Sequence, residues 1–137
     1  MQQISKYIDY NELGTIYEKS LDRYVRKHGG IFYTPKYITE YICKNTIGVV
    51  CKEKKQELGF SHLTAEKLIT YKEWLLTLKI LDPACGSGAF LNQTLEFLTA
   101  EHKEVDDKIA ELTGESPEKN NTDKAILENN IYGVDIN

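Results

Sequence analysis

Apolar residues recur along the chain at three- and four-residue spacings in separate stretches, each bounded by glycine, proline or a polar run. Leu13, Ile16, Tyr17, Leu21, Tyr24 and Val25 share one stripe of a helix that opens near Asn11 and stops at Gly29-Gly30. Ile31-Phe32-Tyr33 reads as a short extended piece. Thr34-Pro35 has the chemistry of a helix start, a capping hydroxyl followed by proline at the first helical position. A second helix carrying Ile38, Tyr41, Ile42 and Ile47 is expected to follow. Residues 52–62 are polar and contain Gly59, which predicts a loop or a frayed helix end. Leu68, Tyr71, Leu75 and Leu78 predict a third helix over 63–78, with Trp74 in its packing interface.

The pattern then changes. Leu78 to Leu81 is a brief apolar strand that runs into the sharp turn Asp82-Pro-Ala-Cys-Gly-Ser-Gly88, and Ala89-Phe90-Leu91 opens a helix through Leu98, with Phe90 in its core. Residues 101–124 are strongly charged, acidic overall, and include Gly114 and Pro117. They are expected to form a surface excursion of helix plus loop rather than core. Ala125 to Asn130 reads as a last helical turn or two. Ile131-Tyr-Gly-Val-Asp-Ile136 reads as a second short strand ending on an acid. The fold class expected is α/β: a helical segment over 1–77 leading into the first part of a Rossmann-like sheet over 78–137, with a charged insertion at about 101–124.

Composition narrows the chemistry. The 137 residues carry a formal net charge of −4, and no segment shows the Lys/Arg stripe by which proteins neutralise phosphates; Lys52-Glu-Lys-Lys55 reads as a solvated helix face. No apolar run approaches the roughly 20 residues that cross a bilayer, and the start of the chain lacks a basic stretch followed by an apolar one. The expectation is a soluble, cytoplasmic protein with no membrane partner. Cys43, Cys51 and Cys85 show no C-x-x-C spacing and read as reduced thiols. His28, His62 and His102 sit among polar neighbours and read as surface or satisfied histidines, so no metal site is assigned.

The candidate chemistry lies where a strand meets Cys85-Gly86-Ser87-Gly88 and a helix follows. Glycines remove the Cβ atoms and permit positive φ, and the helix N-terminus offers unpaired N–H groups, so backbone can approach a ligand closely. A dinucleotide fingerprint would need a third glycine, which Ala89-Phe90-Leu91 does not supply, and this disfavours a pyrophosphate. Asp135 at the following strand end can accept hydrogen bonds from both hydroxyls of a ribose. A nucleoside without phosphates fits both halves.

Leu81-Asp-Pro-Ala-Cys-Gly-Ser-Gly-Ala-Phe-Leu91 resembles the S-adenosylmethionine-binding motif of adenine-methylating DNA methyltransferases, especially those of type I and combined type II restriction-modification systems. Gly30-Ile-Phe-Tyr-Thr-Pro35 is similar to the element that closes over the methionine end of the cofactor. Ile131-Tyr-Gly-Val-Asp-Ile136 is similar to the motif whose acid holds the ribose, and Leu13-Gly-Thr-Ile-Tyr-Glu-Lys-Ser-Leu21 to a helix that commonly precedes them. The resemblance implies that Tyr33, Thr34 and Pro35 line the methionine side, with Thr34 also capping its helix. It implies that Asp82 faces the methionine ammonium, directly or through water, although Asp82 could instead anchor the turn by Asx-type hydrogen bonds. Ala84, Cys85, Gly86 and Gly88 would present backbone, with Cys85 a small buried filler. Asp135 would bind the ribose and Ile136 pack against the adenine ring.

The same resemblance implies methylation of the adenine amino group of double-stranded DNA, gripped by regions outside this chain, with a specificity or nuclease subunit or domain as a further partner. In the family an Asn or Asp followed by Pro-Pro and an aromatic residue holds the flipped base. That motif does not occur here, since Pro35, Pro83 and Pro117 are isolated, so no catalytic residue is assigned and a fragment of a longer polypeptide is expected. Asp135 also lies about 50 residues beyond Gly86, where roughly 20 is usual in a Rossmann unit, and the stretch 101–124 is expected to loop out and absorb the surplus. The alternatives are a protein or RNA methyltransferase fragment, or a non-catalytic module that binds cofactor or a partner.

Overall fold

The computed structural model describes residues 33–117 and 121–136, together with helical positions at Ile16, Lys19, Ser20 and Lys27. The remainder of the first expected helix and the Ile31-Phe32 piece lie outside the described residues. From residue 33 on, the described residues form seven elements: α1 (Lys36–Asn45), α2 (Ile47–Glu57), α3 (Ala65–Leu75), β1 (Ile80–Asp82), α4 (Ala89–Thr113), α5 (Thr122–Asn129) and β2 (Ile131–Gly133). They make a mostly helical α/β arrangement around a two-stranded parallel sheet. No helix among the described residues is long and apolar enough to cross a membrane.

One core joins the helices that precede β1 to those that follow it. Cys51 of α2, Leu68, Tyr71 and Leu75 of α3, Leu98 and Val105 of α4, and Ile126 of α5 form a single buried cluster. The spacing of the α3 residues puts them on one face. Tyr71, fully buried, is the centre of a polar knot inside this packing. Its hydroxyl donates to Glu101 Oε2 at 2.7 Å, and Lys55 Nζ reaches the same oxygen at 2.8 Å. Trp74 stacks on the Tyr71 ring with centroids 5.6 Å apart, as its expected place in the interface requires, and Phe60 meets it edge-on at 5.3 Å. Burial and the hydrogen bond to a carboxylate hold the Tyr71 phenol far above its ordinary pKa, so it stays a donor.

The structure departs from four expectations. Residues 52–57 are helix, not loop: Lys54 and Lys55 lie over the rings of Trp74 and Tyr71 at 5.8 and 5.2 Å, so their stems cover the aromatic core while their charges stay near water. A break at Thr46 (φ −119°, ψ −81°) divides α1 from α2. Residues 101–113 are not a surface excursion: α4 runs 25 residues without interruption, about 37 Å at the helical rise, and buries His102 and Val105 on its far half. The charges that suggested solvent are partly spent on α3, where Lys72 meets Asp106 at 2.5 Å. His102 is likewise no surface residue. It is 2% exposed, neither ring nitrogen has a hydrogen-bond partner, and burial pulls its pKa below the ordinary value, assisted by Lys72.

Parallel strands require a crossover, and α4, the 114–121 connection and α5 supply it. Both ends of the crossover are fixed by polar contacts. Gly114 takes the left-handed conformation (φ 74°) that ends α4, Asn121 caps α5 through Lys124 N at 3.2 Å, and Thr99 bonds Asp123 at 2.8 Å. The 48 residues between Gly86 and Asp135 are therefore taken up mainly by helix.

Candidate functional site, a glycine turn bracketed by two strand ends

The strands pair Ile80 with Ile131, Leu81 with Tyr132 and Asp82 with Gly133. β1 begins at Ile80, two residues later than its apolar run suggests, because the carbonyls of Leu75 and Leu78 are taken by a side chain instead of a ladder. Asn130, fully buried, donates from Nδ2 to Leu75 O at 2.7 Å and Leu78 O at 2.8 Å, while its own carbonyl accepts from Ile80 N at 2.8 Å. This one residue ties the end of α3 and the start of β1 to the start of β2. Nothing in the hydrophobic pattern singles it out.

Beyond the strands the two chains stay zipped. Val134 N donates to Asp82 O at 3.0 Å, and Cys85 N donates to Val134 O at 3.0 Å. Val134 is thus bracketed by Asp82 and Cys85 of the turn, and Asp135 follows it directly in the chain. Within the turn Asp82 Oδ1 accepts from Ala84 N at 3.1 Å, the Asx-type anchor, and Gly88 N donates to Cys85 O at 2.8 Å. Gly86 and Gly88 have φ of 53° and 88°, and a Cβ built on either meets no atom within 4 Å. The protein itself does not crowd these glycines. They hold a left-handed backbone and leave an open face at the N-terminus of α4, where helical N–H groups lack intrahelical acceptors.

Asp135 is exposed; its Oδ1 accepts from Ile136 N at 2.9 Å, which orients the carboxylate and leaves lone pairs for a further donor. Ile136 is 95% exposed, an apolar surface beside an acid and a glycine turn. Cys85 is half-buried, and its thiol lies against Gly133. Asp82, with Pro83, Phe90 and Leu91, also lines an open apolar cavity of about 250 Å³ between β1, α4 and the Ile42–Ile47 end of the first two helices. Phe90 therefore borders a cavity rather than sitting in closed core.

Asp82, Ala84, Cys85, Gly86, Gly88, Asp135 and Ile136 are brought to one edge of the molecule. Tyr33, Thr34 and Pro35 are half-buried ahead of α1, and among the described residues no hydrogen bond joins them to the glycine turn. The capping role expected of Thr34 is not realised: Pro35 is the N-cap, without a side-chain cap, and its carbonyl accepts from Ile38 N at 3.0 Å and Thr39 N at 3.2 Å. The extended backbone of Pro35 (φ −58°, ψ 146°) starts the helix one residue later than the Thr-Pro pairing implies. Directly after this segment, Lys36 of α1 pairs with Glu96 of α4 at 3.2 Å.

The fold is an α/β module with a glycine turn at the carboxyl ends of two parallel strands, the position at which open α/β sheets bind their ligands. The chain belongs to the N-6 DNA methylase family, whose model matches residues 8–137. It is 34% identical over 148 aligned positions, 90% of this chain, to a protein of Methanocaldococcus jannaschii named for a type II restriction enzyme and methyltransferase. It is 27% identical over 120 positions, 76% of the chain, to the adenine-specific methyltransferase BrxX of Escherichia coli. The chain spans 12% and 9% of the lengths of these two relatives. No solved structure matches it significantly.

Proposed function

We propose that this chain is the S-adenosylmethionine-binding part of a DNA methyltransferase that modifies the exocyclic amino group of adenine, built on a Rossmann-like half-sheet. Membership of the N-6 DNA methylase family supports a DNA methyltransferase over a protein or RNA methyltransferase, and over a non-catalytic module. The observation that carries the cofactor reading is the bracket of Asp82, Val134 and Cys85, which ties the open-faced glycine turn to the strand end that carries Asp135. A nucleoside fits it: backbone N–H groups and room where Cβ atoms would stand at Gly86 and Gly88, a carboxylate for a vicinal diol at Asp135, and the apolar Ile136 for a base.

S-adenosylmethionine supplies the activated methyl group. The work of this chain is to bind and orient it, with Asp82 held by its Asx bond at the mouth of the turn, where its free carboxylate oxygen can face an ammonium directly or through water. Tyr33, Thr34 and Pro35 are assigned to the methionine side as the segment that closes over it. Adenine recognition belongs to an Asn-Pro-Pro-aromatic motif elsewhere in the polypeptide, and so does most of the grip on double-stranded DNA. The name of the M. jannaschii relative supports a restriction-modification setting with a nuclease subunit or domain as partner. A cytoplasmic location follows from that setting.

Calorimetric titration tests the reading. S-adenosylmethionine is expected to bind in preference to ATP, and Asp135→Ala to lose two charge-assisted hydrogen bonds, about 3 kcal/mol or roughly a hundredfold in Kd. A preference for ATP, or equal affinity in Asp135→Ala, overturns it.

A further inference from the structure

Gly133 is the one glycine of the site that the protein itself crowds. A Cβ built on it stands 2.6 Å from Leu91 Cδ1, 3.1 Å from Cys85 Sγ and 3.4 Å from Cys85 Cβ. The φ of Gly133 lies outside the left-handed region that Gly86 and Gly88 adopt, so its backbone would accept an alanine without strain. The requirement for glycine comes from space alone. We infer that Gly133 is a positioning residue: its bare Cα is the seat on which the Cys85 side chain and the first turn of α4 rest, and this seat sets the distance between the glycine turn and Asp135.

The hydrogen-bond pattern explains why so small a contact matters. Gly133 is paired with Asp82 in the ladder, and the next residue, Val134, makes both cross-links to the turn, one to Asp82 O and one from Cys85 N. A side chain at Gly133 pushes outward on Cys85, whose amide is one of those links. Leu91 can retreat toward the cavity of about 250 Å³ that it lines. Cys85 has less freedom, because its amide is tied to Val134 and its carbonyl accepts from Gly88 N at 2.8 Å. The displacement is therefore directed into Cys85 to Gly88, the segment whose backbone faces the ligand.

The consequence for the cofactor rests on the reading above, so the test has two arms. Amide hydrogen exchange follows Cys85 and Val134 N–H in wild type, Gly133→Ala and Gly133→Val, with Leu98 and Val105 as core references. Exchange at Cys85 and Val134 is expected to accelerate severalfold in Gly133→Ala and more than tenfold in Gly133→Val, with the references unchanged. Affinity for S-adenosylmethionine is expected to fall in the same order, and both penalties to shrink when Gly133→Ala is made in a Cys85→Ala background, which removes the Sγ that stands 3.1 Å from the added Cβ. Unchanged exchange at Cys85 and Val134, or acceleration shared equally by Leu98 and Val105, overturns the inference. If the exchange arm behaves as expected while the wild-type chain binds no S-adenosylmethionine, the seating of the turn stands and the cofactor reading falls.

Discussion

Removing the Asn130 amide should loosen the junction on which the site is built, and the size of the effect can be worked out from its contacts. The Nδ2 group makes two bonds to the carbonyls of Leu75 and Leu78, at 2.7 and 2.8 Å, in a fully buried position. Two neutral hydrogen bonds are worth about 1 kcal/mol each; Leu75 O keeps Leu78 N as a donor at 3.3 Å, so only the Leu78 carbonyl is stranded, which adds about 1–3 kcal/mol. Against this, Asn130 Oδ1 is itself buried without a partner, so its removal relieves a comparable desolvation cost. The net expectation for Asn130→Ala is a destabilisation of about 2–3 kcal/mol. Asn130→Asp should be worse, because it points a carboxylate at two carbonyl oxygens. Urea unfolding followed by circular dichroism measures both. An Asn130→Ala variant within about 0.5 kcal/mol of wild type, or an Asn130→Asp variant no less stable than it, would refute the account of this junction.

Other substitutions probe separate links. Tyr71→Phe deletes the donor to Glu101 but leaves Lys55 on that carboxylate, so a loss of about 1.5–2 kcal/mol is expected, seen as a Tm lowered by several degrees. His102 is held neutral in the folded chain, with a pKa below its ordinary value, so the unfolded chain binds more protons in the acid range. Stability should be full above about pH 6.5 and fall as pH drops below it, with a slope of at most ~1.4 kcal/mol per pH unit from this residue. Thermal melts of wild type and His102→Gln over pH 5–8 check it, the expected difference being a shallower acid loss in the variant. Gly88→Val places a branched side chain at φ 88° and in the open face of the turn, so it should abolish S-adenosylmethionine binding in the same titration while core amides keep their protection.

The parts legible in the sequence were those carried by local pattern. The stripe of Leu68, Tyr71 and Leu75 predicts a buried helix face, and the glycine turn between an apolar run and a helix start predicts strand, turn and helix in order. What could not be read depends on partners distant in the chain. Lys54 and Lys55 look solvated until Trp74 and Tyr71 are placed beneath them, and His102 looks like a surface residue until α3 covers it. The 101–113 stretch reads as an excursion from its charges alone, because Lys55 of α2 and Lys72 of α3, which meet Glu101 and Asp106, lie far away in the chain. Thr34 met the composition of a cap, but the backbone at Pro35 places the helix start one residue on. Asn130 and Gly133 carry no pattern signal. One is a buried amide that serves two carbonyls, the other an absent Cβ at a close approach.

The most direct test of the central claim is a map of amide chemical-shift changes on addition of S-adenosylmethionine to the chain. The account predicts changes concentrated at Asp82 to Ala89 and at Val134 to Ile136, the two segments that the Val134 bracket holds together. Changes centred instead on the crevice between α3 and the far half of α4, around Ile69, Asp106 and Pro117, would contradict it, as would a saturating titration that leaves Gly86, Gly88 and Asp135 unmoved.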